Sequence, residues 1–187
     1  MPVYLRKPAT LPCTLPLPAL PENFLARPDE LASIRQLLIS TGGSGITSPT
    51  FGRVGLPGMP GLGKSVLLDW ALNDPWIHGM VCQDGAILLV LGEERSGKSI
   101  QKELLLALGG SDEDEDEVSV RAIRNHLGNR RVLVAMDDLW KREQAETVVA
   151  ALSGTSASVL ISSRDSGLLQ TLLGQRSVHR IALMSDE

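Results

Sequence analysis

Aromatic residues make up only 3% of the 187 residues, so any core here is aliphatic. There are two cysteines, Cys13 and Cys82, and three scattered histidines. None of them stands at a metal-ligand spacing, which leaves two free thiols in a reducing cytosol. No apolar run approaches the roughly 18–20 residues that span a bilayer. The opening stretch MPVYLRKPATLPCTLPLP has prolines where a signal peptide needs an unbroken apolar segment. These absences point to the cytoplasm and away from membranes. A basic excess is missing too. The net charge of −4 argues against a broad nucleic-acid surface, although a local basic pocket for a nucleotide remains compatible with it.

What is present is an ordinary globular composition, 43% hydrophobic and 21% charged, long enough for one core and short for two. Residues 1–22 hold six prolines and read as an extended arm or linker, with a proline-recognition ligand as the lesser alternative. The domain proper is expected over 23–187. RPDELASIRQLL is an amphipathic helix, with Pro28 at its first position and Leu31, Ile34, Leu37 and Leu38 on one stripe. Residues 40–50 are a loop. Strands are expected at 51–56, 86–91, 132–136, 158–162 and about 178–183. Helices begin at Lys64 and Ser99, cover 118–127, about 141–152 and about 166–173, and the first of these should stop near Asn73-Asp74-Pro75. The acidic run Asp112 to Glu117 reads as a solvated loop, with metal binding the minor alternative. Strands alternating with helices imply an α/β protein: a parallel sheet with helices on both faces.

Two stretches fit the phosphate-loop pattern, GMPGLGKS at 58–65 and GEERSGKS at 92–99. Such a loop turns backbone N–H groups onto phosphates, so glycine is favoured; its lysine reaches the terminal phosphates and its Ser hydroxyl binds Mg²⁺. The first stretch has Gly58, Gly61 and Gly63, no acidic side chain, and a helix behind it. Its candidate nucleotide contacts are Gly58, Met59, Pro60, Gly61, Leu62, Gly63, Lys64, Ser65 and Val66. The second would place Glu93 and Glu94 beside a polyanion, which is costly at low dielectric. It reads as a strand-to-helix turn. LSGTS at 152–156 resembles a transport-ATPase signature, but follows the acidic strand where that motif precedes it.

The strand LVAM ends in Asp137 and Asp138. A buried parallel strand carries them to the C-terminal edge of the sheet, where ligands bind in such folds. Asp137 is then placed to hold Mg²⁺ opposite Ser65, and Asp138 to position or deprotonate a water aimed at the γ-phosphate. Arg164, just past the next strand, is placed to contact that phosphate, the alternative being a surface arginine paired with Asp165. Lys64, Asp138 and Arg164 are the catalytic candidates.

FLARPDELASIRQLL, GLPGMPGLGKS, LVAMDDLW and LISSRD, in this order, resemble the NB-ARC nucleotide-binding domain over roughly 21–187. That family belongs to the STAND class of signal-transduction ATPases. The resemblance implies a three-layer P-loop NTPase fold with a five-stranded parallel sheet in the order 5-1-4-3-2. It implies ADP held at rest and exchanged for ATP on activation, which drives homo-oligomerisation. It also implies that Phe24, Leu25 and Arg27 lie beside the base and ribose, with Ala26 where the family usually has glycine. The chain ends at Asp186-Glu187, where the family would begin another helix, so it reads as a core whose helical, winged-helix and repeat sensor domains belong to a longer parent chain. The expected activity is that of a switch binding ADP or ATP with Mg²⁺ and hydrolysing slowly. Against it stand a small P-loop kinase or phosphotransferase, for which no arginine-rich acceptor lid is visible, and an interaction module with a vestigial loop.

Overall fold

The computed structural model describes residues 18–39, 52–110 and 119–182. Most of the proline-rich arm, Cys13, the loop 40–50, the acidic run Asp112–Glu117 and residues 183–187 lie outside the described residues. The strands are β1 (Arg53–Pro57), β2 (Gly85–Val90), β3 (Val132–Leu139) and β4 (Ser158–Ser163). They form one parallel sheet in the order β1-β4-β3-β2. The helices are α1 (Pro28–Ile39), α2 (Lys64–Leu72), α3 (Pro75–Met80), α4 (Gly97–Ala107), α5 (Val120–Leu127), α6 (Arg142–Leu152) and α7 (Ser166–Leu173).

The apolar runs become strands because both faces of the sheet are covered, so no position needs to be polar. Along β3, Val132, Val134 and Met136 pack toward α4–α7, while Leu133 and Ala135 pack toward α1–α3. On β4, Val159 and Ile161 join the first cluster and Leu160 the second. The strand period of two thus divides one hydrophobic run between two cores. The result is the expected three-layer α/β arrangement.

The sheet has four strands rather than the expected five. Val178 makes a single parallel bridge to Gly55, and the His179 N–H donates to Gly55 O at 2.8 Å. No further pairing follows among the described residues, and the Ala182 N–H donates to Glu30 Oε1 of α1 at 2.8 Å. The described strand order is therefore 1-4-3-2, with Val178 and His179 beside β1.

The helix from Lys64 stops at Leu72, as expected, but Asp74-Pro75 then opens α3, which the apolar pattern did not signal. Asp74 is its N-cap and accepts from the Ile77 N–H at 2.9 Å. The same carboxylate, 4% exposed, receives Arg35 Nε and Nη2 of α1 at 3.1 and 2.5 Å. One carboxylate therefore joins α3 to α1. Asp74→Ala removes a cap worth about 1 kcal/mol and releases the partly exposed Arg35 to water. Chemical denaturation should show a loss of at least about 1 kcal/mol.

Candidate functional site

β1 delivers the chain to Gly58, whose N–H donates to Ser163 O at the end of β4 at 3.1 Å. The loop that follows therefore sits at the C-terminal edge of the sheet. Gly63 has φ 77°, a left-handed conformation that a side chain resists, and it turns the chain directly into α2. No side chain caps α2, so the amides of its first turn and the positive end of its dipole are open to an anion. Lys64 is the first helical residue and is 8% exposed. Its ammonium donates to Gly58 O at 2.7 Å and to Met59 O at 2.9 Å, which leaves one of its three protons for a phosphate. Burial lowers the Lys64 pKa and the charge of Arg164 lowers it further, with Asp138 and Asp137 opposing. A bound polyanion would relieve that penalty.

The two acids of β3 do not alternate across the sheet as strand residues would. Met136 faces Ile161 and Leu139 faces Ser163, so Asp137 and Asp138 together stand opposite the single residue Ser162. That is a β-bulge, and Asp138 bears it with φ 58°, the one positive φ of a described non-glycine residue. Ser162 fastens the bulge from both sides. Its hydroxyl donates to Asp137 Oδ1 and accepts the Asp138 N–H at 2.9 Å. Asp137 and Asp138 consequently border one cavity. Asp138 Oδ2 accepts the indole N–H of Trp140 at 2.8 Å, and Arg164 Nε lies 3.6 Å from Oδ1. The guanidinium also stacks on Trp140, 4.5 Å from its ring centre. The expected alternative pairing of Arg164 with Asp165 does not form: Asp165 caps α7 through the Leu168 N–H at 3.0 Å.

Two cavities share the loop. One of about 480 Å³ is bordered by Lys64, Ser65, Asp137, Asp138, Ser162 and Arg164, with Pro60, Gly61, Gly63 and Val66 on its wall. The other, about 280 Å³, is apolar and bordered by Phe24, Leu25, Leu67 and Trp70, with Arg27 and Leu62 at its side. Gly61, Gly63 and Val66 border both. Phe24 meets Trp70 edge-on at 4.9 Å between ring centres. Gly58 and Met59 line neither cavity; they act through the carbonyls that hold Lys64, and the Met59 side chain is 73% exposed. Arg27 borders the apolar cavity, but its guanidinium is engaged by Leu62 O, Glu30 and Ala182 O.

The second pattern match is built differently. Ser96 caps α4 by accepting from the Ser99 N–H at 3.2 Å, so that helix end is already satisfied. The loop's carbonyls at Gly92 and Arg95 accept both amide protons of Gln144, at 2.7 and 2.9 Å. Its pattern glycine Gly97 is needed for packing, since a Cβ there would lie 2.2 Å from Glu143 O of α6. Lys98 is exposed.

Ser162, Trp140 and Asp69 are site neighbours to which the sequence reading gave no role, although Trp140 and Ser162 lie within LVAMDDLW and LISSRD. Ser162 lies in an apolar strand, and nothing local shows that β4 pairs with the bulged end of β3. Asp69 carried a signal, standing four residues after Ser65 and so on the same helix face.

A loop of this geometry at an uncapped helix, sharing a cavity with a carboxylate at the end of a parallel strand one removed in the sheet, defines a phosphate-loop nucleotide-binding protein. The chain belongs to the NB-ARC domain family, whose model matches residues 35–187. A protein of Arabidopsis thaliana described as a probable disease resistance protein is 29% identical over 106 residues, 55% of this chain. The match spans only 12% of that protein's length. Among the described residues, no helix is long and apolar enough to cross a membrane.

Burial, and then the charge of Asp137, push the Asp69 carboxyl up to about 6. A folded value above the unfolded one, about 4, means the folded chain holds the extra proton between the two. That stabilisation is complete below about pH 4 and is lost as pH rises through about 6. Asp69→Asn should therefore raise stability by about 1 kcal/mol at pH 8, after discounting for the residue's partial exposure, and change it little at pH 4. Thermal unfolding of both proteins at the two pH values checks the sign.

Proposed function

We propose that this chain binds ADP or ATP across the two joined cavities and is the nucleotide-holding core of a regulatory switch with slow ATP hydrolysis. The observation that carries this is the uncapped N-terminus of α2, which stands between an apolar cavity and a cavity lined by Lys64, Ser65 and Asp137. A nucleotide has that division of chemistry: an apolar base at one end and a polyanion at the other. In this reading Phe24, Leu25 and Trp70 hold the base, while Lys64 and the amides of Gly61 to Val66 hold the phosphates. Arg164 contacts the terminal phosphate once it leaves Asp138, and so distinguishes ATP from ADP. Residues 23–187 are the core, and residues 1–22 are an arm leading into it.

The donor set fits Mg²⁺. Ser65 and Asp137 border the same cavity and offer hard oxygen ligands; Ser162 takes Asp137 Oδ1, which leaves Oδ2 for a cation. No three His, Cys, Asp or Glu side chains gather at one point among the described residues, so phosphate and water oxygens would complete the shell. When bound, the ion would neutralise charge on the phosphates. Asp138 orients the attacking water. The Trp140 indole N–H already holds Asp138 Oδ2, which competes with the water for that carboxylate, and slow turnover follows. The partners of such a core are the other domains of a longer chain and, on activation, further copies of it.

Calorimetry with Mg-ADP and Mg-ATP tests the assignment. Lys64→Ala should abolish binding, and Lys98→Ala should leave it unchanged; the reverse result would move the phosphate site to residues 92–99. For hydrolysis, Asp138→Asn should slow single-turnover cleavage of ATP at least tenfold, within the usual range for a positioned acid or base. Trp140→Phe keeps the ring beneath Arg164 but deletes the indole donor, and should speed cleavage several-fold.

A further inference from the structure

Glu30 stands in the first turn of α1, 9% exposed, and both of its oxygens are engaged. Oε1 accepts Arg27 Nη2 at 3.0 Å and the Ala182 N–H at 2.8 Å, and Oε2 pairs with His179 Nε2. Burial alone would raise its pKa. The bonds from His179 and Ala182 and the charges of His179 and Arg27 outweigh that and lower it. The carboxylate is therefore charged at neutral pH, as all three contacts require.

Arg27 extends this cluster to the nucleotide site. Its Nη1 donates to Leu62 O at 3.2 Å, and its Nη2 also reaches Ala182 O. Leu62 directly precedes Gly63, whose left-handed conformation sets the start of α2. His179 is itself tied to β1 through Gly55 O. One buried carboxylate thus joins α1, the loop that lines both cavities, and residues 178–182. Glu30 and His179 border neither cavity, and Arg27, which borders the apolar one and bonds Leu62 O, is the most direct link from Glu30 to a nucleotide.

We propose that Glu30 is a positioning residue for the nucleotide site, acting through Arg27 on Leu62, and that it couples loop order to the docking of residues 178–182. The proposal rests on the reading that GMPGLGKS holds the nucleotide. Coupling of this kind is reciprocal. If docking of 178–182 tightens the loop, a nucleotide that orders the loop must hold 178–182 down. A brace that serves only the fold would lower stability without that exchange.

The test combines Mg-ADP calorimetry with amide hydrogen exchange on the whole chain and three variants. Glu30→Ala should weaken ADP binding roughly tenfold, as expected for loss of a charged hydrogen-bond network. Glu30→Gln, which keeps one acceptor oxygen, should fall between it and the unmodified protein. His179→Ala should cost less affinity than Glu30→Ala. In the unmodified chain, saturating Mg-ADP should slow exchange of the His179 and Ala182 amides, and in Glu30→Ala it should not. Should Glu30→Ala fail to fold, His179→Ala and the exchange of the unmodified chain decide. The inference is overturned if the unmodified chain binds ADP without protecting these amides, or if the variants lose thermal stability and keep full affinity. A folded, unmodified chain that binds no nucleotide overturns the binding reading itself, and this inference with it.

Discussion

The central strands are dry on both faces, and that constraint organises the molecule. Every residue of β4 is buried, and Val132 through Met136 of β3 are 0% exposed. A charge on either strand could not be hydrated and would have to be neutralised or paired. Polar residues enter where the strands leave the core, as Ser158 does at the start of β4, and the charged ones of β3 stand at its C-terminal end. At the C-terminal ends β3 presents Asp137 and Asp138, β4 presents Ser162, Ser163 and Arg164, and β1 runs into the glycine loop. Parallel strands bring these ends to one edge, so burial of the apolar middle concentrates the polar chemistry.

At that edge the charges partly cancel. Lys64 and Arg164 repel one another, Asp137 and Asp138 oppose them, and Asp69 is displaced toward its neutral form. The backbone shares the tension, since holding a residue other than glycine at φ 58° costs on the order of 1 kcal/mol. Ser162 keeps that conformation in place by bonding both acids at once. The α2 N-terminus, by contrast, has no side-chain cap among the described residues. The site therefore has cations and amides arranged around space that suits a polyphosphate, which is the basis of the proposed activity.

Much of this was legible before folding. The strands could be read because a doubly buried strand is a continuous apolar run, and VLVAM and SVLIS have no other easy interpretation. GMPGLGKS could be preferred to GEERSGKS because glutamates repel phosphate. The structure adds independent reasons: the Ser96 cap, Gln144 filling the second loop, and Gly97 packed on Glu143. Arg27 was placed beside the base from its motif, and it does border the apolar cavity. Its guanidinium, however, bonds to Leu62 and Ala182 as well as to the nearby Glu30, and no local pattern shows that the first two would meet it.

The sequence by itself determined the alternation of strand and helix, the loop before α2, and the acidic end of β3, because periodic burial and glycine's left-handed freedom act over a few residues. Tertiary structure decided which groups at that edge are occupied. The bulge at Asp137-Asp138 exists because Ser162 is 25 and 24 residues away in sequence yet on the next strand. The expected fifth strand is reduced to a single bridge, and Glu30, 152 residues from Ala182, holds the Ala182 amide against α1. Such contacts depend on the closure of long loops around a formed core, and the residues involved show no sign of it until the chain has folded.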